Sequence, residues 1–158
     1  MSELKVCCFT GHRPDKLHGK QQEIEQYLAR EIARAYDEGF RLFINGMCWG
    51  VDVYAGYECL KYRLTHLDLK ILAAMPYRGF GMNREGGLGE ASQYLLKESD
   101  YVRYVSEKYD GKATFMKRDM WMVDHSTRLI AYWDGSKGGT CNTVVYARSK
   151  GIEVVNFR

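Results

Sequence analysis

Two hydrophobic rhythms take turns along the chain. Short apolar runs at 4–10 (LKVCCFT), 40–45 (FRLFIN), 69–75 (LKILAAM), 127–133 (TRLIAYW) and 152–157 (IEVVNF) are bounded by Gly, Pro or Asp, which predicts strands. A less apolar run at 101–105 predicts a sixth strand. Between them, residues 21–38 set Ile24, Leu28, Ile32 and Ala35 on one face of a helix that Gly39 stops. Asp52 is placed to cap a second helix running through Tyr54, Ala55, Cys59 and Leu60 to about Leu64. Further helices are predicted at 91–97, at 116–125 with Met116, Met120 and Val123 on the apolar face, and at 143–148. Pro76 is expected to close the third strand, and the glycine-rich stretch 77–90 shows no clear period. Strands alternate with helices and are apolar nearly throughout, which predicts an α/β fold: a single Rossmann-like domain over 1–158, its mostly parallel sheet covered by helices on both faces.

Composition narrows the function classes. With 158 residues one domain is expected, and 23 basic against 20 acidic side chains leave a net charge of only +3. The basic residues are interleaved with acids, as at Arg30-Glu31, rather than gathered into the stripe that nucleic acid requires. No run approaches the ~18 apolar residues of a membrane span, and the first residues lack the pattern of a secretory signal. The five cysteines (Cys7, Cys8, Cys48, Cys59, Cys141) include no Cys-x-x-Cys, so thiols are expected rather than a disulfide framework or a metal site. Cys7 and Cys8 are adjacent, and a strand would send them to opposite faces. These features predict a cytoplasmic protein without a membrane partner.

Three unusual segments fall at the carboxyl ends of predicted strands, where open parallel sheets bind ligands. They are Thr10-Gly11-His12-Arg13, the stretch from Asn45-Gly46 through Trp49-Gly50 to Asp52, and the loop from Asp134 through Gly138-Gly139-Thr140. Glycines there let backbone N–H groups reach a phosphate, the start of the next helix favours negative charge, and Arg13 adds a fixed cation. None is a known nucleotide fingerprint. Gly135-Ser-Lys-Gly-Gly-Thr140 has the wrong order for a Walker A loop, and Gly79-Phe-Gly81 and Gly87-Leu-Gly89 fall short of Gly-x-Gly-x-x-Gly. A P-loop NTPase and a conventional NAD dehydrogenase are therefore disfavoured, and no cofactor is expected.

Taken together, Thr10-Gly11-His12-Arg13, Gly46-Met-Cys-Trp-Gly50-Val51-Asp52, Arg118-Asp119 and Gly138-Gly139-Thr140 resemble the motif set of the SLOG superfamily, in its YpsA-like branch. That superfamily includes DprA, which loads recombinase on single-stranded DNA, the LOG phosphoribohydrolases, and many proteins regarded as sensors of nucleotide-derived ligands. The resemblance runs from about Val6 to Phe157 and implies a Rossmann-like fold with a ligand site at the strand ends. It adds Arg118 and Asp119 to the site. LOG enzymes carry a glutamate a few residues after the glycine loop, where this chain has Cys141-Asn142-Thr143-Val144.

The expectation is thus a binding or sensing module for a nucleotide or ADP-ribose-like molecule. Arg13 and Arg118 would hold phosphates, and each would be removable at little cost to the fold. An N-glycosidic hydrolase is the alternative, with Asp52, Asp119 or Asp134 replacing the missing glutamate. Single-stranded nucleic acid is a less favoured partner. Trp49 is balanced between covering a purine and burial under its loop. Asp124-His125 reads as a helix terminus rather than an acid–base pair, because sequence neighbours on a helix diverge by about 100°.

Overall fold

A computed structural model describes residues 4–81 and 89–158, so Gly87 and half of the stretch 77–90 lie outside the described residues. Six strands, β1 (Val6–Gly11), β2 (Leu42–Asn45), β3 (Lys70–Tyr77), β4 (Tyr101–Ser106), β5 (Arg128–Tyr132) and β6 (Glu153–Asn156), form one sheet. Five helices connect them: α1 (Gln21–Asp37), α2 (Val51–Arg63), α3 (Gly89–Glu98), α4 (Ala113–Asp124) and α5 (Gly139–Ser149). Every pairing is parallel and the spatial order is β4-β3-β2-β1-β5-β6. This is the Rossmann-like α/β arrangement that the alternating rhythms predict.

The strand side chains divide between two cores. Cys7, Phe9, Phe43, Ile71 and Ile130 meet Ile24, Leu28 and Ile32 of α1 and Ala55 and Cys59 of α2. Cys8, Ile44, Leu129 and Ala131 meet Met122 and Val123 of α4 and Val144 and Ala147 of α5. Cys7 and Cys8 therefore do part to opposite faces; both are free thiols whose pKa burial raises. A third cluster of Met47, Ala73, Met75, Phe80 and Leu95 seats α3, and Gly56 of α2 admits it closely: a Cβ there would stand 2.3 Å from Leu95 Cδ2.

Three local expectations need correction. The third strand runs through Pro76 to Tyr77. Its pairing with β2 ends at Asn45↔Ala73, so at Pro76 only β4 remains alongside and the missing N–H costs no ladder bond. Helix α5 begins at Gly139, four residues before the predicted start, since the first turn needs no strong helix formers to satisfy its backbone. The buried side of α4 carries Thr114, Arg118, Met122 and the expected Val123, while Met116 and Met120 are only half-buried, because an arginine with internal partners can occupy an inward position.

Candidate functional site

Chain order turns back beside β1: β2, β3 and β4 lie successively to one side, and β5 and β6 to the other. Such a reversal leaves a crevice outside the strand ends. Here it is a cavity of about 610 Å³. Its walls include Thr10, Gly11, His12 and Arg13 after β1, Cys48 and Asp52 after β2, and Lys137, Gly138, Gly139, Thr140 and Asn142 after β5. Helix α4 and the turn before it add Tyr109, Lys112, Phe115, Met116, Arg118 and Asp119. All three sequence-predicted loops therefore contribute to one enclosure. Ten of the fourteen predicted residues line it; Gly46, Trp49, Gly50 and Asp134 do not.

The loops after β1 and β5 are fastened together. His12 is buried, and its Nε2 accepts the Asp134 N–H at 3.1 Å and lies 3.0 Å from Asp134 Oδ1. Lys16 Nζ donates to Ser136 Oγ at 3.1 Å. Asp134 also receives the Ser136 N–H (2.9 Å), and Ser136 and then His12 hold its carboxyl well below the usual carboxylate range. Its role is to shape the turn. Beyond that turn, Gly138 (φ 141°) starts α5 with no side-chain cap. A Cβ on either Gly138 or Gly139 would meet nothing within 4 Å, so the first turn of α5 presents bare backbone to the cavity. The exposed cations Arg13, Lys16, Lys112 and Lys137 stand around it.

The loop after β2 is built differently. Gly50, not Asp52, caps α2, with φ 97° and an ideal Cβ position 2.5 Å from the His12 carbonyl oxygen. Val51 N–H donates to that same oxygen (3.3 Å), so the β1 loop closes the start of α2. Gly11 meets Val51 equally closely: a Cβ on Gly11 would stand 2.4 Å from Val51 Cβ. Asp52 sits in the first turn of α2 with Oδ2 accepting the Cys48 N–H at 3.1 Å.

Arg118 corrects a sequence expectation. Only 2% exposed, it donates through Nη1 to the Gly46 carbonyl, through Nη2 to Cys48 Sγ (3.1 Å) and through Nε to Asp119 Oδ1 (2.7 Å). It clamps α4 to the β2 loop, and it is not a side chain that can be removed without cost. Asp119 has neighbours at both oxygens, since Oδ2 lies 3.2 Å from Thr143 Oγ1, whose one proton it shares with the Gly139 carbonyl at 2.9 Å. Asp52 is the contrasting acid. Burial pushes its carboxyl up to about 7 against the opposing field of Arg118, and among the described residues Oδ1 has no hydrogen-bond partner.

Trp49 is 40% exposed and stands outside the cavity lining, which removes it from the position of a base-covering ring. His125 caps the end of α4, with Nδ1 against the Trp121 carbonyl (2.8 Å) and its ring stacked on Trp121, as a helix terminus would. Neither motif nor periodicity marks the aromatic pair Tyr109 and Phe115; their place just past the end of β4, the same topological level as the other loops, is the available sign. Among the described residues no group of three or more His, Cys, Asp or Glu is placed to hold a metal, and no helix is long and apolar enough to cross a membrane.

Known proteins share this framework. A UPF0398 protein of Bacillus thuringiensis is 24% identical over 98% of this chain and 88% of its own. Among solved structures, DNA processing protein A (DprA) of Streptococcus pneumoniae superposes with a TM-score of 0.68 at 18% identity, over 97% of this chain. This chain spans 50% of that protein's length. The molybdenum cofactor carrier protein of Chlamydomonas reinhardtii gives a TM-score of 0.58 at 15% identity, covering 98% of this chain and 76% of that one. At these identities the two structures speak for the fold. The model of the YspA SLOG family matches residues 7–154, nearly the whole sheet and the full set of loops around the cavity, and the chain belongs to that family.

Proposed function

We propose that the cavity binds a phosphate-bearing, nucleotide-derived small molecule, and that the protein acts as a sensor or regulator. The observation that carries this reading is the start of α5. Its glycine backbone is open, no side chain caps it, and nothing in the fold demands glycine at 139. An uncapped helix start facing a cavity with exposed cations at its rim suits an anion, and about 610 Å³ falls within the usual range for small-molecule sites. A module for small ligands is also in keeping with the cofactor carrier among the structural neighbours.

Ligand-dependent melting tests it. AMP, ADP-ribose, NAD and cyclic dinucleotides are offered at millimolar concentration, and a binder present at 100 times its Kd adds about 2.7 kcal/mol to the native state. Arg13→Ala is expected to abolish the shift while leaving the unliganded melting point in place, since Arg13 is exposed. No shift with any of these compounds overturns the proposal.

One observation favours a second reading, hydrolysis of an N-glycosidic bond. Asp119 and Asp134 are occupied by internal partners, but Asp52, a residue of the cavity wall, keeps one carboxyl oxygen buried and unpartnered and its pKa raised. A sensor of this kind releases no free base from AMP. Multiple turnovers, lost in Asp52→Asn with binding retained, would promote the second reading.

A further inference from the structure

The cavity has two chemically distinct ends. At the β5 side it offers bare backbone, Thr140 and Lys137; at the β4 side it offers Tyr109, Phe115 and Met116. The aromatic end continues a cluster of rings in which Tyr77 stands 5.5 Å from Tyr109 and 6.3 Å from Phe115, and Phe80 stands 6.0 Å from Phe115 (centroid distances). Tyr109 and Phe115 themselves lie 6.1 Å apart and are tilted by 58°, so together they form a corner rather than a closed stack. Phe80 is buried behind that corner, yet Tyr109 remains 53% exposed. Rings fixed by neighbours but left open on a cavity wall offer a face to a planar partner at little cost in side-chain ordering.

From this arrangement we infer that the corner of Tyr109 and Phe115 seats the planar base of the ligand, with the phosphate at the start of α5. The assignment rests on the phosphate-binding reading and gives it a direction. The ligand lies across the carboxyl ends of the strands, phosphate toward the start of α5 and base toward Tyr109 and Phe115. The β2 loop lies between these ends, and there Asp52, 93% buried by its 7% exposure, holds its unpartnered Oδ1. The base is recognised by its π-face, so the corner selects a flat heterocycle over a bare sugar phosphate without choosing among bases.

Calorimetric titration of AMP and of ribose 5-phosphate into the wild type, Tyr109→Ala and Tyr109→Phe tests the inference. Tyr109 is half exposed, so both variants are expected to melt close to the wild type. Tyr109→Ala is expected to weaken AMP about tenfold, leave ribose 5-phosphate unchanged, and regain AMP affinity as Tyr109→Phe. A 5′-phosphorylated oligodeoxyadenylate in the same titration separates a free nucleotide from a strand end carrying the same chemistry; preference for AMP is expected. AMP affinity unchanged in Tyr109→Ala, or an equal loss for AMP and ribose 5-phosphate, overturns the base seat while leaving the phosphate reading intact. Failure of AMP, ADP-ribose and ribose 5-phosphate all to bind the wild type overturns both.

Discussion

The loops after β2 and β5 look alike in sequence: each is glycine-spaced and opens a helix. In space they are opposites. At the β2 loop the glycines are required by what presses on them. Gly50 faces the His12 carbonyl, and a Cβ on Gly46 would stand 3.0 Å from Asp52 Oδ2 and 3.2 Å from Met122 Sδ. The N-terminus of α2 is closed by a backbone oxygen. At the β5 loop nothing presses on Gly138 or Gly139, and α5 opens into the cavity. Gly139 is a glycine that packing does not need, at a helical position where alanine would be the more stable choice, and the proposed ligand site is the reading under which that space has a use.

The strongest challenge to that contrast is Arg118→Ala, which removes the bolt from the β2 loop and leaves the Gly46 carbonyl and Asp119 without their cation. Loss of one partner from a buried ionic group costs about 3–5 kcal/mol. For a chain of this size that lowers the melting temperature by roughly 10 °C, with or without ligand. If the melting point stays where it was, the β2 loop is not welded to α4. Next comes Gly50→Ala, which must place a Cβ against a backbone oxygen at positive φ. It is expected to cost about 2–3 kcal/mol in chemical denaturation.

Asp52 sharpens the comparison through pH. Unfolded, its carboxyl titrates near 4; folded, burial raises it to about 7 in the field of Arg118, Asp119 and Arg13. The native state therefore holds the proton over a range in which the unfolded chain has released it, and stability falls as pH rises from about 4 to about 7. Asp52→Asn removes that slope. The variant is expected to match the wild type near pH 4 and exceed it by about 4 kcal/mol at pH 8, measured by denaturant midpoint. Parallel curves for the two proteins would show that Asp52 is solvated.

The smallest effect on stability, and the most discriminating, belongs to Gly139. Gly139→Ala fills open space at the start of a helix and is expected to leave stability unchanged or raise it by about 0.5 kcal/mol. Gly139→Val stays within about 1 kcal/mol of the wild type. Both are expected to lose ligand-induced melting shifts, Val more completely. A variant that binds unchanged would make the β5 loop an ordinary turn.

The elements of the fold were readable because the sheet is buried on both sides and α1 on one, so that burial leaves its period in the chain. The contributing loops were readable too, as interruptions of that period by glycine. What escaped was partnership. Arg118 and Arg13 are indistinguishable as letters, yet one is sealed between α4 and the β2 loop and the other is exposed. Asp119, Asp134 and Asp52 present the same carboxylate, and only three-dimensional neighbours separate the two that are engaged from the one with a buried, unpartnered oxygen. Tyr109 and Phe115 become a wall only because β4 sits four strand positions from β5 in the same sheet. None of these relations is periodic or local, so no window of sequence contains them.

The fastening of the β1 loop to the β5 loop also bears on how the protein is made. His12 meets Asp134 across 122 positions, and Lys16 meets Ser136 across 120. During synthesis the first wall of the cavity leaves the ribosome long before the second exists. Throughout that interval a nascent chain carries Arg13 without the helix start it faces. Ligand added at that stage has no complete enclosure to stabilise, and it can act only once α5 has emerged. A ligand bound as proposed would therefore require the segments around His12 and Asp134 to have met, so binding would test assembly of the sheet across that span rather than of any one segment.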